Sequence, residues 1–223
     1  MMTIGRHLGA RRRIAVGFAA LVGTWAAVTC PSYGAGEAGD VVGHGQAERG
    51  ELMFTDDFER SEIGGEWIEH FHEISLQDGV LVTKQLPREH AAIARHPMPL
   101  RNAMIFDYDL RFVDAQRAVF VVNGENKHVF HVSFREVEHG LEVSVQDYAN
   151  GRANAIAVVP KKKGAWLAVT LVLVEDRLEA LVDGASVVTL KSPGLATVKD
   201  LFQFFGAGNR IEHDNVEVWS IAP

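Results

Sequence analysis

Residues 166–174, Trp166-Leu-Ala-Val-Thr-Leu-Val-Leu-Val174, contain no charge and no turn residue, and their alternation decides the fold. At the two-residue period of a strand, Leu167, Val169, Leu171 and Leu173 share one side, and Trp166, Ala168, Thr170 and Val172 share the other. Both sides are apolar. The segment is therefore expected to be a central strand, covered on one face by a second sheet and on the other by loops or side chains.

The same alternation extends outward from Leu52 to the C-terminus, broken by turn residues every eight to twelve positions or so. It predicts strands over residues 73–76, 80–85, 91–95, 103–113, 118–123, 128–135, 141–147, 155–159, 166–174, 177–182, 186–190, 201–205 and 215–221. Gln77-Asp-Gly79 and Val182-Asp-Gly-Ala185 supply the glycines that tight hairpins use, and Gly206-Ala-Gly-Asn209 reads as a turn before the last strand. So many short strands without intervening helices cannot form a parallel sheet, because each parallel crossover needs about a dozen residues. The expected fold is all-β: antiparallel sheets packed face to face.

At the other end of the chain, Arg6, Arg11, Arg12 and Arg13 precede an apolar run from Ile14 to Val28, then small residues and a proline. This predicts an export signal over residues 1–34, with cleavage near Ser32-Tyr-Gly34, by either the general or the twin-arginine route. The run falls short of the roughly 20 apolar residues of a membrane span. Residues 35–50, rich in Gly, Ala and charge, are expected to be a tether, and residues 51–223 a single β-sandwich domain. The only cysteine, Cys30, follows Ala27-Val-Thr29, a poor lipoprotein box; if it leaves with the signal, no disulfide remains. Removing residues 1–34 takes the formal charge from −7 to −11, which argues against nucleic acid as a partner. The run Lys161-Lys-Lys163 reads as a solvated turn before a strand.

Several landmarks resemble the concanavalin A-like jelly-roll superfamily. They are Phe54-Thr-Asp-Asp-Phe-Glu-Arg60, Trp67, Leu76-Gln-Asp-Gly-Val-Leu81, Phe106-Asp-Tyr-Asp-Leu-Arg-Phe112 and Asp214-Asn-Val-Glu-Val-Trp219. The pattern is most similar to the 3-keto-disaccharide hydrolase domain family, itself family 16 glycoside hydrolase-like. The resemblance implies a two-sheet jelly-roll sandwich of the lectin and glucanase type, an exported carbohydrate-active domain, and a glycan received on a concave sheet.

Glu212-x-Asp214-x-x-Glu217 has the acidic spacing by which jelly-roll glucanases hold a nucleophile, a helper carboxylate and a general acid. In those enzymes it lies on a central strand in mid-chain, whereas here it falls on the expected closing strand, paired near the opening Asp-Asp-Phe. Regular alternation also places Glu212 and Asp214 on one face and Glu217 on the other, so the three converge only if a β-bulge intervenes. Asp214 and Asn215 are expected to bond nearby backbone N–H groups.

The candidate binding residues come from the histidine-rich strand, where Val129, His131, Ser133 and Arg135 share a face opposite His128, Phe130, Val132 and Phe134. Glu142, Ser144 and Gln146 form a similar polar row on the next strand. If the two rows are neighbours, His131, Arg135, Glu142 and Gln146 make a patch suited to sugar hydroxyls; otherwise they are a solvated sheet face. Tyr148 and Trp67 either stack on a pyranose ring or belong to the core. No cofactor is expected. A metal between His128 and His131 fails because residues three apart face opposite ways; His131 with His90 or His213, or calcium on Asp56, Asp57 and Asp214, remain open. Function is left between a glycosidase-like enzyme, with His131 or a nearby acid carrying the proton, and a non-catalytic glycan- or protein-binding module.

Overall fold

The computed structural model describes residues 47–222 apart from 71–73, 86–91, 126, 150–153 and 162, with the backbone alone for 69, 70 and 92. The export signal, Cys30 and His90 lie outside the described residues.

Thirteen strands follow one another: β1 (Arg49–Asp56), β2 (Ile68–His70), β3 (Ile74–Gln77), β4 (Val80–Thr83), β5 (Ala92–Leu100), β6 (Ala103–Gly124), β7 (Lys127–Val137), β8 (Gly140–Asp147), β9 (Asn154–Val159), β10 (Trp166–Val174), β11 (Arg177–Val182), β12 (Ala185–Lys191) and β13 (Lys199–Ile221). A 3-10 turn, Pro193–Ala196, precedes β13. Every ladder is antiparallel. β1 begins at Arg49, inside the stretch expected to be tether, and its polar start hides it from the hydrophobic pattern.

Two strands of 22 and 23 residues, β6 and β13, run through both layers of the sandwich. In the first layer β12, β11 and β10 lead to the N-terminal half of β6, then to the C-terminal half of β13, which β1 and the β3–β4 hairpin flank. In the second layer β9, β8 and β7 lead to the C-terminal half of β6, then the N-terminal half of β13, β5 and β2. Expectation differs here in one respect. Alternation separates residues 103–113 from 118–123, and 201–205 from 215–221, but each pair is one continuous strand. Gly206-Ala-Gly-Asn209 is no turn: it is the bend that carries β13 from one layer to the other, with register shifts on both sides of Gly208.

The inward faces meet in one core. Phe106, Phe112, Phe120, Phe130, Phe134, Phe202 and Phe204 are all essentially inaccessible. Leu167, Val169, Leu171 and Leu173 of β10 point into it as their alternation requires. On the opposite side, Val172 is covered by a small patch with Ile105, Leu181, Trp219 and Ile221. Burying such a side chain contributes about 1.5–3 kcal/mol, so a core this size needs no cross-link. Trp67 belongs to it, 3% exposed, with Phe54, Phe58, Phe202 and Phe204 around its ring.

Candidate functional site

β6, β7 and β8 are consecutive hairpin neighbours in the second layer, and their register sets the outward rows. His131 lies opposite Gln146 on β8 and Val121 on β6, while Arg135 lies opposite Glu142 and Arg117. All four candidates, His131, Arg135, Glu142 and Gln146, therefore share this outer face. They differ in what they have free. The Arg135 guanidinium donates to both carboxylate oxygens of Glu142, at 2.9 and 2.8 Å, so the two largely satisfy each other.

His131 instead lines a cavity of about 330 Å³. The floor is apolar: Val119, Val121, Ile93 and Phe205. Its rim is polar, with Arg95 and Gln203 on one side, Arg117 at one end, and His128, His131 and Tyr148 opposite. Arg95 Nε donates to Gln203 Oε1 at 3.0 Å, and Arg117 Nε to Ser133 Oγ at 2.8 Å. Tyr148 is 39% exposed, with its ring 4.1 Å from that of His131. Sequence reasoning missed Arg95, Arg117 and Gln203. Alternation shows which way a side chain points, but not that β13 lies beside β6 and β5 beside β13.

His128 corrects the expectation that it faces away from His131. The ladder pairs Val122 with Phe130 but Asn123 with His128, so β7 carries one extra residue there and the parity of its side chains reverses. The two imidazoles meet at 4.6 Å, edge to face, and His128 Nδ1 lies 2.8 Å from Asn123 Oδ1. Burial, then the charges of His128 and Arg117, push the His131 pKa down from 6.5 to about 3. Burial and then Arg95 lower that of His128. A ring held uncharged at neutral pH is a poor general acid. It remains a hydrogen-bonding group, and its Nε2 is buried without a hydrogen-bond partner among the described residues.

The metal readings fare poorly. His213 points into the core, stacked on Phe204 at 4.3 Å, on the far side of the sheet from the cavity. Asp56 is filled by donors: Phe58 N–H, Trp67 Nε1 at 2.7 Å and the Arg60 guanidinium. Among the described residues, no group of three or more His, Cys, Asp or Glu side chains is placed to hold a metal ion.

His213 has a measurable consequence. Both its nitrogens are buried without a partner among the described residues, and burial lowers its pKa from 6.5 to about 3. Below pH 6.5 the unfolded chain takes up a proton that the folded chain refuses until about pH 3, so stability falls as pH drops through that window. His213→Phe is expected to widen its stability advantage over wild type by about 2 kcal/mol between pH 7 and pH 5, because each tenfold difference in proton affinity between folded and unfolded chain is worth roughly 1.4 kcal/mol. Urea unfolding at the two pH values measures it; a constant gap refutes the buried neutral ring.

The acidic triplet also departs from expectation. The ladder pairs Asp214 with Asp109 and Glu217 with Asp107, so three steps on β13 span two on β6. Asn215, at φ 49°, is the extra residue. Glu212, Asp214 and Glu217 consequently lie on one face, the outside of the first layer. Glu212 is 1% exposed, and its two oxygens are taken by Arg111 and Arg210. Asp214 Oδ1 accepts from the Asn215 N–H at 2.8 Å, as expected. Burial first, then the nearby charges of Asp109, Glu59 and Asp57, raise the Asp214 pKa against the pull of that bond. β13 does pair with β1 as the closing strand, Asp56 facing Val216.

No family model matches the sequence, and no curated protein matches it. Solved structures do. The CBM2 module of Lactobacillus casei BL23 phage J-1 evolved Dit aligns with a TM-score of 0.62 at 12% identity, over 79% of this chain and 99% of that one. A protein of unknown function with a galectin-like fold from Bacillus subtilis gives 0.62 at 11%, over 79% and 100%. An endo-beta-1,3-glucanase from Pyrococcus furiosus gives 0.61 at 12%, over 77% and 94%. The chain is a jelly-roll sandwich. In this jelly roll the cavity opens on the outside of the second layer, and the acidic triplet sits on the outside of the first.

Proposed function

We propose that the protein is an exported glycan-binding module whose ligand occupies the cavity beside His131 and Tyr148. The observation that carries this reading is the buried, partnerless Nε2 of His131 in a cavity with an apolar floor and a half-exposed tyrosine ring at its rim. A sugar offers the matching surfaces, a C–H face for the floor or ring and hydroxyls for the imidazole and for Gln203. Sandwiches of the same fold include a CBM2 module and an endo-beta-1,3-glucanase, which supports a carbohydrate ligand. The arginine-led apolar start of the chain supports export.

Hydrolysis, including that of 3-keto glycosides as the family resemblance implies, is the second reading. What favours it is the bulge at Asn215, which turns Glu217 to the side of Glu212 and Asp214. What weighs against it is Glu212, enclosed by two guanidinium groups.

One experiment addresses both. The purified chain is titrated with a panel of neutral, acidic and 3-keto disaccharides and oligosaccharides, and each is also assayed for turnover. Saturable binding without turnover, weakened about tenfold or more by His131→Ala at unchanged melting temperature, is expected. Turnover abolished by Glu217→Gln would establish the second reading instead; binding indifferent to His131→Ala would place the ligand elsewhere.

A further inference from the structure

We infer that the ligand of this cavity is an anionic saccharide, one carrying a carboxylate or a sulfate ester, held between Arg95 and Arg117. The inference rests on the glycan-binding reading above and narrows its substrate class.

Charge in the cavity is one-sided. Among the described residues its lining contains two arginines, two histidines, a tyrosine and a glutamine, and no carboxylate. This stands out in a chain whose formal net charge is −7. Five other arginines hold acids: Arg49 with Asp107, Arg60 with Asp56, Arg111 and Arg210 with Glu212, and Arg135 with Glu142. Arg95 and Arg117 do not. Each gives one Nε–H to a neutral oxygen, and their terminal nitrogens make no hydrogen bond among the described residues. An arginine used only to cover apolar surface would not require a neutral anchor for its inner nitrogen. Here that anchor orients each guanidinium and leaves its outer edge open, and such an edge matches a carboxylate or sulfate through paired hydrogen bonds.

The register places the two at different ends of the site. Arg95 shares a cross-strand row with Gln203, Val121 and His131, whereas Arg117 lies four residues from Val121 along β6. At about 3.3 Å per residue the rows are roughly 13 Å apart, a span that long side chains reaching inward reduce to the scale of a disaccharide. Both charges act on the imidazoles between them, Arg117 on His131 and Arg95 on His128. Because these rings are uncharged at neutral pH, the two guanidinium groups supply the positive charge among the described lining residues, and the histidines hydrogen-bond the sugar. Gln203, 2% exposed, fixes Arg95 and adds an amide to the rim.

The test compares three disaccharides matched in linkage, one neutral, one with a glucuronate and one with a sulfate ester. Each is titrated by calorimetry against the purified wild-type chain and against Arg95→Gln, Arg117→Gln and Arg117→Lys, at 20 mM and 500 mM NaCl. At low salt at least one anionic sugar is expected to bind tenfold or more tightly than the neutral one, and the stronger of the two identifies the anion. That ratio should fall towards one in each Gln variant, persist in part in Arg117→Lys, and shrink at high salt as screening shortens the reach of both charges. Equal affinity for neutral and anionic sugars, or a ratio untouched by either Gln substitution, overturns this inference while the glycan-binding reading stands. Failure of all three sugars, and of the wider panel above, to bind sinks both.

Discussion

Gly208→Ala is expected to destabilise the protein by about 4 kcal/mol, a large fraction of the roughly 5–15 kcal/mol by which folded domains are stable. Two costs add. Gly208 sits at φ 125°, where a side chain is strained by roughly 1–3 kcal/mol. Its missing Cβ would also stand 2.5 Å from the Cα of Ala115 and 2.7 Å from the Cβ of Ala115, so the facing strand must move as well. That strand is β6 at its own bend, and neither partner yields easily because both continue into ladders on either side. Gly65→Ala is the control, with nothing within 4 Å of its added Cβ; it should shift stability by no more than about 0.5 kcal/mol. Chemical unfolding of both variants decides: similar midpoints would show that the crossing tolerates a side chain.

Asp56→Ala should cost almost as much, about 3–4 kcal/mol. The carboxylate is 5% exposed and joins three parts of the opening segment: the Phe58 N–H at 2.9 Å, the Trp67 indole at 2.7 Å and the Arg60 guanidinium. Removing it strands two N–H groups in a dry region, at about 1–3 kcal/mol each. Burial alone would raise the Asp56 pKa; the bonds from Arg60, Phe58 and Trp67 outweigh it and hold the group below the ordinary 3.8. The stability it contributes is therefore complete above pH 3.8 and lost as pH falls through its folded pKa. The difference between wild type and Asp56→Ala should accordingly close in strong acid. Tryptophan fluorescence during urea unfolding follows it, and a variant that unfolds with wild type at pH 7 would show that the hub is dispensable.

Much of this is legible in the residues. Leu167, Val169, Leu171 and Leu173 announce a core-facing strand, and the polar row from His131 to Arg135 predicts its own neighbour in Glu142 and Gln146, since opposite charges and amides pair across a ladder. What escapes are single-residue insertions. One extra residue in β7 turns His128 towards His131, and one at Asn215 turns Glu217 towards Glu212; a parity change leaves little mark in composition. Asn215 is the faint exception, because asparagine tolerates positive φ. The long strands are also hidden. Asp114-Ala-Gln-Arg117 and Gly206-Ala-Gly-Asn209 have the residue types of turns, and only the packing of two layers makes them bends. Arg95 and Gln203 enter the site through strand order, which periodicity does not encode.

The sharing of β6 and β13 between the layers bears on how the chain is made. β13 lies beside β6 in both halves of the molecule, some 80 to 115 residues further along the chain. Neither layer can close before β13 has been made. Contacts so distant in sequence make folding slow and nearly all-or-none, and both layers stay open until β13 docks against β6.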